Sequence, residues 1–482
     1  LFFFQSLFNP LILFLNFWIS LILRLINING GFFDHASVRS AETYTIAKNF
    51  ITQNLSIWRP RVDWGGPNGG FVKFEFQLYT YILAWLMKVF GLSIVLARLL
   101  TIVISLASGW FFYKILMKFF SPAAALLGLA VFILNPIIVY FGRAIQPDSL
   151  MILFGIFAVW LLIRKERAFL VDKILASVAM AFALMLKPTA GVFLAPFLIL
   201  LFDIGSWREL FKNIFSLKIL IYILSILSIS IPAWLYYNYI DRAGDFGTLN
   251  MRGWWISWES LRAYFYNPLY QKYIFAAFIF FNPIGWLVLF KALFLKYSKK
   301  DFFVQPFILG VWAFAIAHSS LWLQGFHEWH FMLGVPAMGL AAAKIFNDWQ
   351  SKNLSKIFSP RFLISFYLLF IPPAIYGLFF ISNTKAEIIY NNVGIIKQYV
   401  PENKTTAVTD PGSTITNFYS GRIGVYAGFS ITQDNLLNKI KAWSADFLLI
   451  TRPNNLTEEE QKTLKDFKLI YKNESSILYS LY

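Results

Sequence analysis

Long apolar runs separated by short polar ones fill most of this chain. At a rise of about 1.5 Å per residue, some twenty apolar residues cross a hydrocarbon layer as a helix. About eleven runs reach or approach that length, some of them short: 7–28, 92–117, 122–141, 149–163, 170–186, 189–205, 218–237, 273–295, 303–323, 331–347 and 362–382. The basic residues between them alternate in side. Lys114, Lys118, Arg164, Lys165, Arg167 and Lys173 share one face with Arg208, Lys212, Lys218, Lys296, Lys299 and Lys300, and with Lys344, Lys352, Lys356 and Arg361. An excess of Lys and Arg marks the cytoplasmic side. The opposite face then receives the loop 29–91, the loop that carries Asp148, the aromatic loop 238–272 and the tail from Ser382.

Two polar stretches have structure of their own. In the loop 29–91, residues 37–53 have helical spacing with Ser37 as a possible cap, and "RPRVDWGGPNGG" is rich in turn residues. Residues 76–91 are apolar but short for a span, which suits a helix lying in the interface with Lys88 near its end. In the tail, "TTAVTD" and "DFLLITR" are short strand-like runs, while "AEIIYNNVGIIKQYV" and "DNLLNKIKAW" have helical periodicity. The pattern predicts an α-helical polytopic membrane protein. Its membrane domain covers 1–382, including the long outer loop 29–91, and a small α/β domain covers 383–482.

Composition sharpens this reading. The chain is 58% hydrophobic and 19% aromatic, with a mean hydropathy of +0.59. Soluble domains are nearer half apolar. The net charge of +17 is accounted for by the loop bias, so no nucleic-acid partner is expected. With no cysteine, disulfides, thiolate catalysis and Cys-based metal sites are excluded. The chain begins at Leu1, not Met, from which we expect a missing N-terminal piece, and the first apolar run is too long for a cleaved signal peptide.

Against this apolar background a few charged residues stand out. Asp34 follows the first span directly, and Asp148 lies between two later ones. Ionisable groups at such positions often mark a substrate pathway or a reactive site. If both acids face one side, the pattern suits an enzyme working on a lipid-borne substrate. The loop 29–91 mixes Asp34, His35, Arg39, Glu42, Arg59, Arg61, Asp63, Lys73 and Glu75 with aromatics. A carboxylate can act as general base for an acceptor hydroxyl or amine. Arg and Lys can hold a phosphate and stabilise it as it leaves. The plainer alternative is a loop held by ordinary ion pairs, with Asp34 and Asp148 as helix-entry residues. Lys187, at the outer end of a span before Pro188, reads equally as a snorkelling anchor or as a phosphate contact. His327 and His330 in "GFHEWHF" could bind a divalent metal or line an interfacial pocket. The spacing is not HExxH, so no metal ligand is assigned.

Several segments together resemble a family. "FFDHASVRSAETYTIAKNF", "WRPRVDWGG", "VKFEFQLYTYILAWLMKVFGLSIVLARLLTIVIS", "YFGRAIQPDSLMILF" and "LMLKPTAGVFLAPFLIL" look like the GT-C glycosyltransferases of the family 39 and aminoarabinose transferase type. These are relatives of the dolichyl-phosphate-mannose protein mannosyltransferases. The likeness is sharpest over residues 30–200. It implies a multi-span GT-C fold, an exocytoplasmic active site, a polyprenyl-phosphate sugar donor and inversion at the anomeric carbon. It also implies Asp34 as the catalytic acid after the first span, Asp148 as the acid of the next outer loop, and Glu75 as the acid before the interfacial helix. Phe76 stands where the aminoarabinose branch often has Lys, which leaves Arg39, Lys73 and Lys187 as phosphate candidates. "DH" replaces the common "DE", giving His35 a role of its own.

The expected reaction is therefore transfer of a sugar from a lipid phosphate to a lipid, protein or polysaccharide acceptor, outside the cytoplasm of a bacterial plasma membrane. A transporter or flippase of lipid-linked glycans is the alternative. Duplicated halves and broken mid-membrane spans would favour that alternative, and the sequence shows no duplication. A third reading is an assembly subunit whose tail docks a partner.

Overall fold

The computed structural model describes residues 2–33, 37–66, 70–72, 75–164, 169–216, 218–243, 283–319, 328–351, 386–409, 413–422, 424–426, 444–451 and 453–482. The chain divides into two compact units. One joins Leu1–Ile28, Arg98–Asn238 and Asn250–Phe379; the other joins Asn29–Ala97, Tyr239–Leu249 and Phe380–Tyr482.

The first unit is helical. Its helices are α1 (Phe2–Leu25), α4 (Ile94–Phe119, which begins in the other unit), α5 (Pro122–Ile133), α6 (Pro136–Phe141), α7 (Asp148–Arg164), α8 (Phe169–Leu186), α9 (Leu194–Leu201), α10 (Trp207–Ile214) and α11 (Lys218–Ala243). Helices Pro283–Leu293, Val304–Ser319 and Val335–Ser351 follow. Most coincide with expected spans, but three expected spans are not single helices. The run 122–141 breaks at Asn135, whose side chain accepts from Ile137 N at 3.1 Å and starts α6 with Pro136 in the first turn. Asn caps well, and Pro is tolerated where its missing N–H is not needed. The run 189–205 opens as a 3-10 turn, Pro188–Phe193, before α9, and the run 331–347 opens as another, Glu328–Gly334. Among the described residues one helix, Ile94–Phe119, is long and apolar enough to cross a membrane by itself. The expected span 362–382 and the start of 273–295 lie outside the described residues.

Close helix approach is set by small residues. A Cβ on Gly128 of α5 would stand 2.6 Å from the carbonyl oxygen of Gly339, and one on Gly339 would stand 2.7 Å from that of Gly128. The two glycines let α5 cross helix Val335–Ser351 backbone to backbone. Lys344 on that helix, counted from sequence among the loop charges, is instead buried. Its Nζ lies 2.9 Å from Asp301 Oδ2 and 3.1 Å from Asp348 Oδ1.

The second unit combines the 29–97 segment with the tail, where the sequence reading kept that segment with the membrane domain. It contains α2 (Ser37–Thr52) and α3 (Leu78–Phe90). Helix α3 buries Tyr79, Leu83 and Met87 and exposes Trp85, Val89 and Phe90. Both of its faces are thus apolar, and one of them is exposed. In the tail, helix Ala386–Tyr399 precedes a five-stranded sheet of order β2-β1-β3-β5-β4. Its strands are β1 (Thr406–Val408), β2 (Gly424–Tyr426), β3 (Phe447–Ile450), β4 (Lys468–Lys472) and β5 (Ile477–Ser480). β1 runs parallel to β2 and β3, and β5 runs antiparallel to β3 and β4. Alternate residues of β3 enter two cores. Leu448 joins Ala407, Ile450 and Ile477, while Leu449 joins Ile396, Val408 and Leu478. A strand covered on both faces reads as a continuous apolar run, as "FLLI" does. The helical reading of "DNLLNKIKAW" lies outside the described residues.

Candidate active site

Charged side chains of the loop gather around α2. Arg39, in the first turns of α2, forms an ion pair with Glu75 and lies 3.5 Å from Glu42 Oε2 through Nη1. The three-residue spacing of Arg39 and Glu42 places both on one helix face. One guanidinium thus serves two carboxylates. Glu42 is largely buried, with 14% side-chain exposure. Burial pushes its carboxyl above the ordinary value, while the Arg39 charge and hydrogen bonds from Arg39 and Trp64 pull it back. Glu75 lies just before α3, and its carbonyl accepts from the Gln77 side chain at 2.5 Å.

Farther along α2 the second half of the loop is tied down. Lys48 Nζ lies 2.9 Å from Asp63 Oδ2, and Asn49 Nδ2 donates to Asp63 Oδ1 at 2.8 Å and to Arg61 O at 2.9 Å. Arg61 donates to Gln53 Oε1 at 2.9 Å and to Gly66 O at 3.4 Å. The guanidiniums of Arg59 and Arg61 stand 4.7 and 5.8 Å from the centre of the Phe71 ring. Arg61 therefore braces the turn 59–72, an ordinary ion-pair and cation–π role. The turn closes through Val62 N donating to Gly70 O and Val72 N donating to Pro60 O. Gly70 has φ +87°, and a Cβ there would stand 2.5 Å from the Val62 carbonyl oxygen. Only glycine fits this turn without strain.

The helical unit holds a second charge pair. Asp148 begins α7 and is 1% exposed. Lys187 Nζ reaches both of its oxygens, at 2.8 and 2.9 Å. The break at Lys187-Pro188 ends α8 so that the ammonium can turn toward α7. The Asp carboxylate also sits where a helix N-terminus favours negative charge. Two residues earlier, Gln146 is fully buried, and neither its oxygen nor its nitrogen meets a hydrogen-bond partner among the described residues.

Asp34, His35, Lys73 and His327 lie outside the described residues, and so does the side chain of His330 in the turn Glu328–Gly334. The structure therefore brings Arg39, Glu42 and Glu75 together in one unit, and Asp148 and Lys187 together in the other. Of the three phosphate candidates, Arg39 and Lys187 are each engaged by carboxylates. No group of three or more His, Cys, Asp or Glu that could hold a metal occurs among the described residues.

Three buried arginines went unread. Arg98 donates to Ile28 O at 2.7 Å and Asn27 O at 3.4 Å, and Arg143 donates to Ile26 O. Arg24 donates to Ile133 O at 3.2 Å and to Ile138 O at 3.1 Å. Arg98 and Arg143 satisfy carbonyls just past the end of α1, where no next helical turn exists to do so, and Arg24 serves those of Ile133 at the end of α5 and Ile138 in α6. The available signal was an arginine inside an apolar run, as in "LARLL" and "YFGRAI", since such residues seldom stay without a purpose.

Residues 77–236 match the family model described as dolichyl-phosphate-mannose-protein mannosyltransferase. No curated protein matches the chain in sequence. Solved structures share its fold. One is ArnT from Cupriavidus metallidurans bound to undecaprenyl phosphate, at 11% identity and TM-score 0.64, with 97% of each chain covered. Another is the oligosaccharyltransferase AglB from Archaeoglobus fulgidus with an inhibitory peptide and a dolichol-phosphate, at 11% identity and TM-score 0.56, covering 99% of this chain and 75% of that one. The arabinofuranosyltransferase AftD from Mycobacteria aligns at 10% identity and TM-score 0.51, covering 97% of this chain and 39% of that one.

Proposed function

We infer that this chain carries out inverting sugar transfer from a polyprenyl-phosphate donor outside the cytoplasm, as a GT-C glycosyltransferase would, a reading supported by its fold and by the family match over residues 77–236. In this reading about eleven spans carry the chain through a bacterial plasma membrane, and α3 lies in the outer interface. Both the 29–97 segment and the tail then stand on the outer face. The acceptor hydroxyl attacks the anomeric carbon as the bond from that carbon to the phosphate oxygen breaks. The phosphate leaves with the bonding pair, and Asp34 takes the hydroxyl proton. Asp148, paired with Lys187, is the second acid assigned to the reaction.

One observation carries the proposal: the acid-rich charge group around Arg39, built from the segment that follows Asp34. Two carboxylates on one guanidinium leave the group one charge negative when Glu42 is ionised. A phosphate held nearby therefore draws on another cation, and Lys73, two residues before Glu75, is assigned that role. ArnT in complex with undecaprenyl phosphate and AglB in complex with a dolichol-phosphate support the donor class.

The test is an assay of the purified full chain with undecaprenyl- and dolichyl-phosphate carriers bearing mannose, glucose, galactose, arabinose or aminoarabinose, with lipid, peptide and polysaccharide acceptors. Release of the bare lipid phosphate together with a glycosylated product is expected for at least one pair. Movement of a carrier across a vesicle bilayer without cleavage of its sugar would instead establish the transporter reading.

A further inference from the structure

The two faces of the short helix α10 differ in chemistry. Its start is capped both ways: the Ser206 hydroxyl accepts from Glu209 N at 3.2 Å, and the Glu209 carboxylate accepts from Gly205 N at 2.9 Å. The inner face is held to the helical unit. Trp207 Nε1 donates to Gln305 Oε1 at 2.9 Å, the Trp207 ring meets Phe302 edge-on at 5.4 Å, and Asn213 is buried. The outer face carries Phe211 and Phe215, which are 54% and 87% exposed. It also carries Arg208 and Lys212, both exposed. Each pair is four residues apart, so each forms a strip along the helix. An apolar strip thus runs beside a basic one, both turned away from the core.

A second basic segment is fixed next to α10. Gln305 Nε2 donates to Leu293 O at 3.0 Å, so one amide side chain ties α10 to the end of helix Pro283–Leu293. That helix exposes Leu287 and Phe290, and Phe294 just past it is 73% exposed. Lys296, Lys299 and Lys300 follow, all exposed. The stem of Lys299 lies against Gly205, where a Cβ would collide with it, and Lys299 Nζ stands 3.6 Å from Asp203 Oδ2. Asp301 is taken by the buried Lys344. Residues 203–216 and 294–300 therefore set five cations against two acids, Asp203 and Glu209. Beyond α10, α11 starts at Lys218 and exposes Leu220, Ile221 and Leu224. Along both chain paths the exposed side chains change from apolar to basic within a few residues. That change is expected where hydrocarbon gives way to lipid headgroups.

We propose that α10 lies in the plane of the membrane surface and docks anionic phospholipids. Phe211 and Phe215 enter the acyl boundary. Arg208 and Lys212, with Lys296, Lys299 and Lys300, hold the phosphodiester groups. A free phosphate would leave the two phenylalanines in water, and a zwitterionic headgroup would leave the excess of cations unanswered. An anionic lipid surface meets both needs, and it is the chemistry found at the cytoplasmic leaflet, the side on which the loop charges place these residues. The inference stands apart from the sugar-transfer reading.

The chain has no cysteine, so Phe215→Cys carries a single fluorescent probe and leaves Phe211 in place. Lys462→Cys, on the exposed side of helix Glu458–Leu464, serves as the water-facing reference. The purified full chain is placed in vesicles of phosphatidylcholine and phosphatidylglycerol in equal parts. The probe at 215 is expected to be quenched by acyl-nitroxide lipid and protected from iodide, and the probe at 462 to behave in the opposite way. Nitroxide-labelled phosphatidylglycerol should quench the 215 probe about fivefold more than equally labelled phosphatidylcholine at low salt. The preference should fall to parity in about 1 M salt, where the screening length is about 3 Å. It should fall below about twofold in Arg208→Gln/Lys212→Gln. The salt arm needs no charge substitution, so it reads out even where that variant inserts poorly. Iodide quenching at 215 equal to that at 462 puts α10 in water and overturns the proposal. Equal quenching by the two lipids overturns it, and so does a preference that neither salt nor the variant moves. A probe shielded from lipid and iodide alike overturns it in favour of a protein contact, a second copy of this chain included.

Discussion

At the scale of single residues, the charges of this chain are decided by their neighbours. Asp148 and Lys187 were both legible as unusual, since each sits at the end of an apolar run. Their pairing was not legible, because it depends on α7 and α8 lying side by side. Removing one member of a buried pair leaves an uncompensated charge and costs about 3–5 kcal/mol. Lys187→Met should therefore lower thermal stability sharply, and Asp148→Leu combined with Lys187→Met should recover most of the loss. If the single and double variants melt alike, the pair is not the stabilising contact described here. Glu42 makes a second prediction. Its folded carboxyl titrates above the unfolded value of 4.5, so between those two values the folded state holds the extra proton. Stability then falls as pH rises through that window. Melting curves of wild type and Glu42→Gln across this range should diverge, with the variant flatter. Parallel curves would show that Arg39 and Trp64 fully offset the burial of the acid.

At the scale of elements, apolar pattern located the helices well and their interruptions poorly. The runs 7–28, 92–117 and 149–163 became α1, α4 and α7, and Pro10 lies inside α1 without ending it. The run 122–141 broke because Asn135-Pro136 restarts the chain as a capped helix, and hydropathy does not register caps. In the tail, "TTAVTD" and "DFLLITR" yielded β1 and β3, while the edge strands β2 and β4 are too short or too polar to announce themselves. Glycine spacing gave no warning of the crossing of Gly128 and Gly339, which needs two distant segments to meet. Gly339→Val should drive those helices apart and cost on the order of 2 kcal/mol, read as a lowered melting temperature. An unchanged melting temperature would mean the two backbones are not in contact.

At the scale of the whole molecule, the sequence separated a membrane body from an outer tail at residue 382. The folded chain groups its residues differently, because the 29–97 segment packs its aromatic side chains, Phe32, Phe33 and Tyr44, against Phe418 and Tyr419 of the tail. Aromatic residues occur in both segments of the sequence, and only the fold shows which of them cover one another. Truncation after residue 382 should then strip the cover from the 29–97 segment. Faster amide exchange over 30–52 is expected, with transfer lost. Retained exchange protection there would argue for a tail that folds and acts apart.

The account stands or falls on Asp34 as the base that accepts the acceptor's proton. The direct measurement is single-turnover transfer from the polyprenyl-phosphate sugar by wild type and by Asp34→Asn, each inserted and melting at the same temperature. The account predicts that Asp34→Asn still binds the bare lipid phosphate but transfers sugar at least about a thousandfold more slowly. Transfer by the folded Asp34→Asn variant at a rate near wild type would contradict it.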